Sequence, residues 1–361
     1  MRASPEDFAA LVDATARHLG YPQAFVERDY WITEVLRSLS KPLPQDGMVI
    51  FKGGTSLSKG WELIERMSED VDAIVVLPEG SSKGAYERAL KTLTQRVPDD
   101  TGLAAGESNA EKGVHRRTEL PYDQKHGHAA LTGSRVLLEL GTRGGPEPHG
   151  ARAFKSYMAT VAIGHLGASE SEFFEFAAVE IPTLAPERTL LEKLSALHHL
   201  ASVAIADPGE FQRIGTKMRH LYDVAVLLRS QTICRALEMA DIHAMVDDIG
   251  ARSGDAGWGW TPRPPGGYAE IPAFADAFLQ HPDVVAAYGR TLDLVFGSVR
   301  PSLADGHSRS LRWARNRARR RRGGRTSAAA VRPGTARGHQ RAVKPVSAIV
   351  YVCACASYEI T

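Results

Sequence analysis

The sequence predicts an α/β protein (α+β in its detail): a small mixed sheet first, then a helical domain, then a basic tail. Three observations predict it. A short apolar run, Met48-Val49-Ile50-Phe51, is broken by Gly53-Gly54 and followed by a second β-rich run, Asp70 to Leu77. From Leu184 onward the apolar spacing becomes helical, with Leu190, Leu194, Leu197 and Ala201 on one stripe. From Arg309 the composition turns to Arg, Ala and Gly. The corresponding boundaries are 1–183, 184–305 and 306–361.

In chain order, residues 5–40 read as two helices, the second from Phe25 to Leu39, with Glu27 and Asp29 expected on its solvated face. Met48 to Phe51 reads as a buried strand. Gly53-Gly54 ends it, Thr55 and Ser56 are good helix caps, and Leu57 to Arg66 is expected to be a helix. Asp70 to Leu77 is the second strand, and period-two alternation puts Asp70 and Asp72 on the same face. Ala85 to Arg96 is expected to be a helix, and residues 100–127 a polar, irregular segment with Arg116, Arg117, His115, His126 and His128. Ser134 to Leu140 and Phe174 to Ile181 read as further strands, with a loop over 141–150. The helical half has helices over Glu187 to Ala204, Lys217 to Arg229 and Pro282 to Phe296. A Pro-rich loop over 254–267, with Trp258 and Trp260, is expected to form a satellite core.

Charge is unevenly spread. Residues 309–344 hold 13 Lys and Arg, and Glu359 is the only acid after Asp305. Residues 1–305 therefore keep 31 of the 44 bases and 41 of the 42 acids, a net charge of −10. Such a body is unlike a protein that binds nucleic acid by bulk electrostatics. The tail leaves two readings open: a disordered, RNA-attracting basic segment, or out-of-frame translation of a GC-rich gene. Cys234, Cys353 and Cys355 form neither a metal pattern nor a disulfide framework, which points to a reducing cytoplasm. No apolar run approaches the roughly 18 residues that span a membrane.

The chemistry concentrates between Lys52 and Asp72. Two carboxylates side by side repel unless a cation sits between them, and hard oxygen ligands at this spacing suit Mg²⁺. A glycine turn at a helix start presents N–H groups to phosphate. A P-loop is excluded by order, because Lys52 precedes the glycines and Lys59 is followed by Gly60. A phosphate cradle, a helix and then Asp-x-Asp is the layout of DNA polymerase β-type nucleotidyltransferases, and Glu139 is the candidate third carboxylate.

The segments KGGTSLSK and RMSEDVD, with the later TLLEKLSAL and Asp223, resemble the AbiEii family of nucleotidyltransferase toxins, which includes the MenT toxins. The resemblance covers roughly residues 5–300. It implies a nucleotidyltransferase fold and transfer of a nucleoside monophosphate from an NTP. Asp70, Asp72 and Glu139 would hold Mg²⁺. Gly53, Gly54, Thr55, Ser56 and Lys59 would hold the triphosphate, and Lys193 would contact nucleotide phosphates. Asp223 would take the acceptor proton or orient Lys193; by spacing alone it pairs with Arg219. The resemblance further implies a cognate antitoxin and, in the MenT members, a tRNA 3′ end as acceptor. A small-molecule transferase of the aminoglycoside type is the alternative, and an inactive nucleotide-binding protein is a third.

Overall fold

The structure, a computed structural model, describes residues 4–303 apart from 132, 256, 258 and 266. The expectations for the basic tail and for Trp258 lie outside the described residues. The chain divides into two compact units. The first holds Met1–Glu192, Asp248–Gly259 and Gly289–Arg300. The second holds Lys193–Asp247, Trp260–Tyr288 and residues 301–303. The division falls inside a long helix, a little beyond the boundary expected at 183/184.

In the first unit, α1 (Pro5–Leu19) and α2 (Gln23–Leu39) precede β1 (Met48–Lys52). A single turn, α3 (Gly53–Thr55), runs into a π-turn over Ser56–Gly60. Then come β2 (Asp70–Val76), α4 (Lys83–Thr101), β3 (Ser108–Glu111), β4 (His115–Pro121), β5 (Arg135–Gly141), β6 (His149–Phe154), α5 (Tyr157–His165) and β7 (Val179–Leu184). The seven strands form one mixed sheet in the order β3-β4-β5-β2-β1-β7-β6. β2 runs parallel to β5, β1 runs parallel to β7, and the remaining neighbours are antiparallel.

The alternation of the strands places the larger apolar cluster on one face of the sheet. Val49, Phe51, Val71, Ala73, Val75, Val136, Leu138 and Leu140 are buried against Ile32, Val35 and Leu36 of α2 and Leu90, Leu93 and Val97 of α4. On the other face only a small apolar patch forms, from Ile50, Ile74 and Leu184. Asp70, Asp72 and Lys52 share that face beyond the patch and are half-buried. A second cluster joins α1, α2 and α5 through Phe8, Val12, Tyr30, Met158 and Phe176. Residues 289–300 return to this unit: Met67 N–H donates to the Leu294 carbonyl at 2.9 Å, and Arg66 bridges Val295.

The helix α6 (Pro186–Ala206) starts in the first unit and continues into the second. The second unit adds α7 (Arg219–Leu227), α8 (Gln231–Met239), the start of α9 (Ile242–Asp255), α10 (Asp276–Leu279) and most of α11 (Pro282–Leu292). The expected stripe of α6 is buried throughout, from Leu190 to Ala201. Trp260 is 39% exposed, so it does not sit in a closed satellite core.

Several expectations are corrected. The helix expected over 57–66 stops at Gly60, and Glu62 adopts a positive φ of 53°, which no right-handed helix accommodates. Helical backbone instead follows directly on Gly53, so Thr55 and Ser56 lie inside it rather than capping it. Residues 100–127 are irregular only at 102–107 and 122–127: between them lies the β3–β4 hairpin, whose turn is anchored by Arg116 pairing with Glu87 of α4 at 2.6 Å. Glu27 and Asp29 are buried, not solvated. β6 and α5 carry no clear sequence signal of their own and went unassigned. Strand structure in β7 begins only at Val179, since Phe174–Phe176 forms a 3₁₀ turn.

Candidate active site on the open face of the sheet

The site is set by register. Lys52 of β1 pairs with Asp72 of β2, Asp72 pairs with Glu139 of β5, and Glu139 pairs with Arg117 of β4. Directly paired residues share a face, so Lys52, Asp72, Glu139 and Arg117 form one row across four strands, with two acids between two bases. Asp70 lies two residues before Asp72 on the same strand, and so on the same face.

The glycine turn abuts this row. Gly53 has φ +80°, in the region that L side chains avoid, and a Cβ there would lie 2.1 Å from Asp72 Oδ2. Only glycine lets the turn lie against the carboxylate. The Thr55 hydroxyl donates to the Asp70 carbonyl, tying the turn to the start of β2. The Ser56 hydroxyl donates to the Gly53 carbonyl at 2.9 Å. Both hydroxyl protons therefore serve the backbone, and what the turn can offer an anion is its N–H groups. The first N–H groups of a helical run have no carbonyl four residues back within it.

α2 fixes both ends of this segment. Asp29 accepts from Lys59 Nζ at 2.5 Å and from Tyr157 N–H at 2.7 Å. Lys59 also donates to the Lys155 carbonyl at 3.1 Å and lies over the rings of Phe154 and Tyr157. Arg28, wholly buried, bonds Glu69 at 2.6 Å, the residue before Asp70, and Tyr122 OH at 3.1 Å. This gives Lys59 a different employment from the phosphate contact expected of it. Its ammonium is an internal pin, and Asp29 reaches the glycine turn through it.

Lys52, which the sequence reading passed over, pairs in register with Asp72 and so places a base on the face that carries the acids. The Glu192 carboxylate at 3.5 Å, and then Asp72, raise its pKa above the ordinary lysine value against the opposing effect of burial. Period-two alternation with Ile50 was the available signal. Arg66 was also missed: it is buried, and a Cβ on Gly54 would meet its Nη2 at 2.5 Å. Arg188 of α6 ties Glu192 to Asp248 of α9, at 3.4 and 2.5 Å.

In the second unit, Lys193 Nζ meets Asp223 Oδ2 at 2.8 Å, both buried, and lies 3.4 Å from His220 Nδ1. Asp223, expected by spacing to serve Arg219, thus meets Lys193.

The donor set of Asp70, Asp72 and Glu139 is all carboxylate oxygen, half-buried and on one face, which fits a hard divalent cation. Among the described residues, however, no group of three or more His, Cys, Asp and Glu closes on one point. Glu139 is drawn to Arg117, with Oε1 3.1 Å from Nε. Asp70 and Asp72 share the strand face, while the Glu139 carboxylate is engaged by Arg117. His115, His126 and His128 gather no metal set either: His126 faces Asp13 and His128 lies against Phe25.

A helical glycine turn thus lies against a strand that carries two same-face carboxylates. The model of the nucleotidyl transferase AbiEii toxin family, of type IV toxin–antitoxin systems, matches residues 34–317, and the chain belongs to that family. Among solved structures the chain is similar to MenT4, a nucleotidyltransferase toxin from Mycobacterium tuberculosis H37Rv. The two share 16% identity over 86% of this chain and 96% of that one, with a TM-score of 0.42. No curated protein matches. No helix among the described residues is long and apolar enough to cross a membrane.

Proposed function

We propose that this family member is a Mg²⁺-dependent, cytoplasmic toxin that transfers a nucleoside monophosphate from an NTP to an RNA hydroxyl, at a tRNA 3′ end, and is neutralised by a cognate antitoxin. The observation that carries the reading is the packing of Asp72 against Gly53, which sets the acid strand and the phosphate-facing turn in contact. Asp70 and Asp72 would hold the cation, with Glu139 completing the set. A divalent ion there would polarise the α-phosphate and lower the pKa of the attacking hydroxyl. The N–H groups of Gly54, Thr55 and Ser56 would receive phosphate oxygens. Lys52 supplies positive charge beside Asp72, the role first expected of Lys59. Lys193, its direction fixed by Asp223, would contact nucleotide phosphate.

The net charge of −10 over residues 1–305 favours a second reading, a small-molecule acceptor. One experiment separates them. The protein is incubated with each α-labelled NTP, Mg²⁺ and either total RNA or an aminoglycoside panel. Label in a discrete RNA band supports the first reading, and label only in the small-molecule fraction supports the second. Label in neither, with NTP still bound, leaves the inactive binding protein.

A further inference from the structure

The Arg117–Glu139 contact has the form of a latch. Arg117 is 48% and Glu139 36% exposed, so solvent reaches the pair, which is weakly stabilising and readily exchanged. Glu139 is directly opposite Asp72 in the parallel β2–β5 register, and Arg117 is directly opposite Glu139 on β4. The carboxylate best placed to join Asp72 is therefore turned the other way, toward the base on its far side. Guanidinium groups prefer phosphate and carboxylate partners alike, through the same planar fork of donors.

Resting on the metal reading above, we propose that Arg117 is a positioning residue that withholds Glu139 from the divalent cation until a triphosphate competes for the guanidinium. Exchange of Arg117 from carboxylate to phosphate then releases Glu139 toward Asp72. Assembly of the full carboxylate set becomes coupled to nucleotide arrival, and the empty enzyme holds metal through Asp70 and Asp72 alone. No bond is made or broken in this step; one ion pair replaces another.

A double-mutant cycle read by Mn²⁺ binding to the full chain tests it, using electron paramagnetic resonance of free Mn²⁺ without nucleotide. Arg117→Gln should tighten Mn²⁺ about two- to fivefold, the worth of a released exposed pair. In the Glu139→Gln background the same change should give no gain. Equal gains in both backgrounds would reduce Arg117 to a generic positive charge and overturn the proposal. In EDTA, Glu139→Gln should tighten binding of the four NTPs by freeing Arg117, and unchanged NTP affinity would overturn the exchange. Asp72→Asn should abolish Mn²⁺ binding in every background. Mn²⁺ binding that survives it would bring down the metal reading itself, a result distinct from failure of the latch. Thermal melts within a few degrees of wild type establish that each variant is folded.

Discussion

Replacing Lys59 with methionine separates two roles for the last lysine of KGGTSLSK. In the structure its ammonium is held by Asp29 at 2.5 Å and the Lys155 carbonyl at 3.1 Å, and both charged side chains are only 6% exposed. Methionine keeps the volume between Phe154 and Tyr157 but leaves the Asp29 carboxylate buried with Tyr157 N–H as its remaining donor in this network. Breaking one side of a buried ion pair costs about 3–5 kcal/mol, most of it the uncompensated charge left behind. For a unit of this size that corresponds to a fall in melting temperature of roughly 6–20 °C. Adding Asp29→Asn should recover part of the loss, because the stranded charge is then removed. The assay is thermal or urea unfolding of Lys59→Met, Asp29→Asn and the double variant, with NTP affinity measured on each at a temperature where all are folded. A Lys59→Met protein within about 1 kcal/mol of wild type, but with weakened NTP binding, would refute the internal-pin reasoning and restore the phosphate contact.

Three further perturbations test the glycine turn and the β3–β4 hairpin. Gly53→Ala places a Cβ 2.1 Å from Asp72 Oδ2 on a residue with φ +80°, so it should cost about 1–3 kcal/mol in urea unfolding and abolish Mn²⁺ binding. Gly54→Ala meets the end of the Arg66 side chain and, more loosely, Ser68 Oγ, with no positive φ, and should be milder in both assays. Glu87 is held at about 2, below its ordinary 4.5, by Gly113 N–H and Arg116. A depressed carboxylate stabilises the fold above its ordinary pKa and loses that contribution as pH falls from about 4.5 toward 2. Glu87→Gln should flatten the acid limb of the stability–pH curve in that window, as followed by far-ultraviolet circular dichroism; an unchanged limb would mean that Glu87 does not anchor the hairpin.

What the sequence made legible was what alternation and spacing encode. Asp70 and Asp72 share a face because strand geometry requires it, and Glu139 lies opposite Asp72 on a neighbouring strand, as its place in a strand suggested. The stripe of α6 is equally direct. What stayed hidden was pairing at long range. Asp29 and Lys59 are 30 residues apart and Arg117 and Glu139 are 22 apart, and each residue taken alone has an ordinary surface composition. Glu27 looked solvated because its partners, the N–H groups of Lys125 and His126, lie in a distant segment; burial raises its pKa despite those bonds. The 57–66 helix was over-read because helical spacing does not reveal a positive φ at Glu62. The hairpin of β3 and β4 was missed because its strands are polar on an open face, where the period-two apolar signal is weakest.

On the proposed reading, Asp70 and Asp72, set against the Gly53 turn, would hold the divalent cation for nucleotidyl transfer. The most direct measurement is label transfer from α-labelled NTPs in Mg²⁺, comparing wild type with Asp72→Asn of equal thermal stability. The account predicts transfer by the wild-type protein and at least a thousandfold loss, about 4 kcal/mol of transition-state stabilisation, in the variant. Transfer retained by Asp72→Asn within about tenfold of wild type would contradict it.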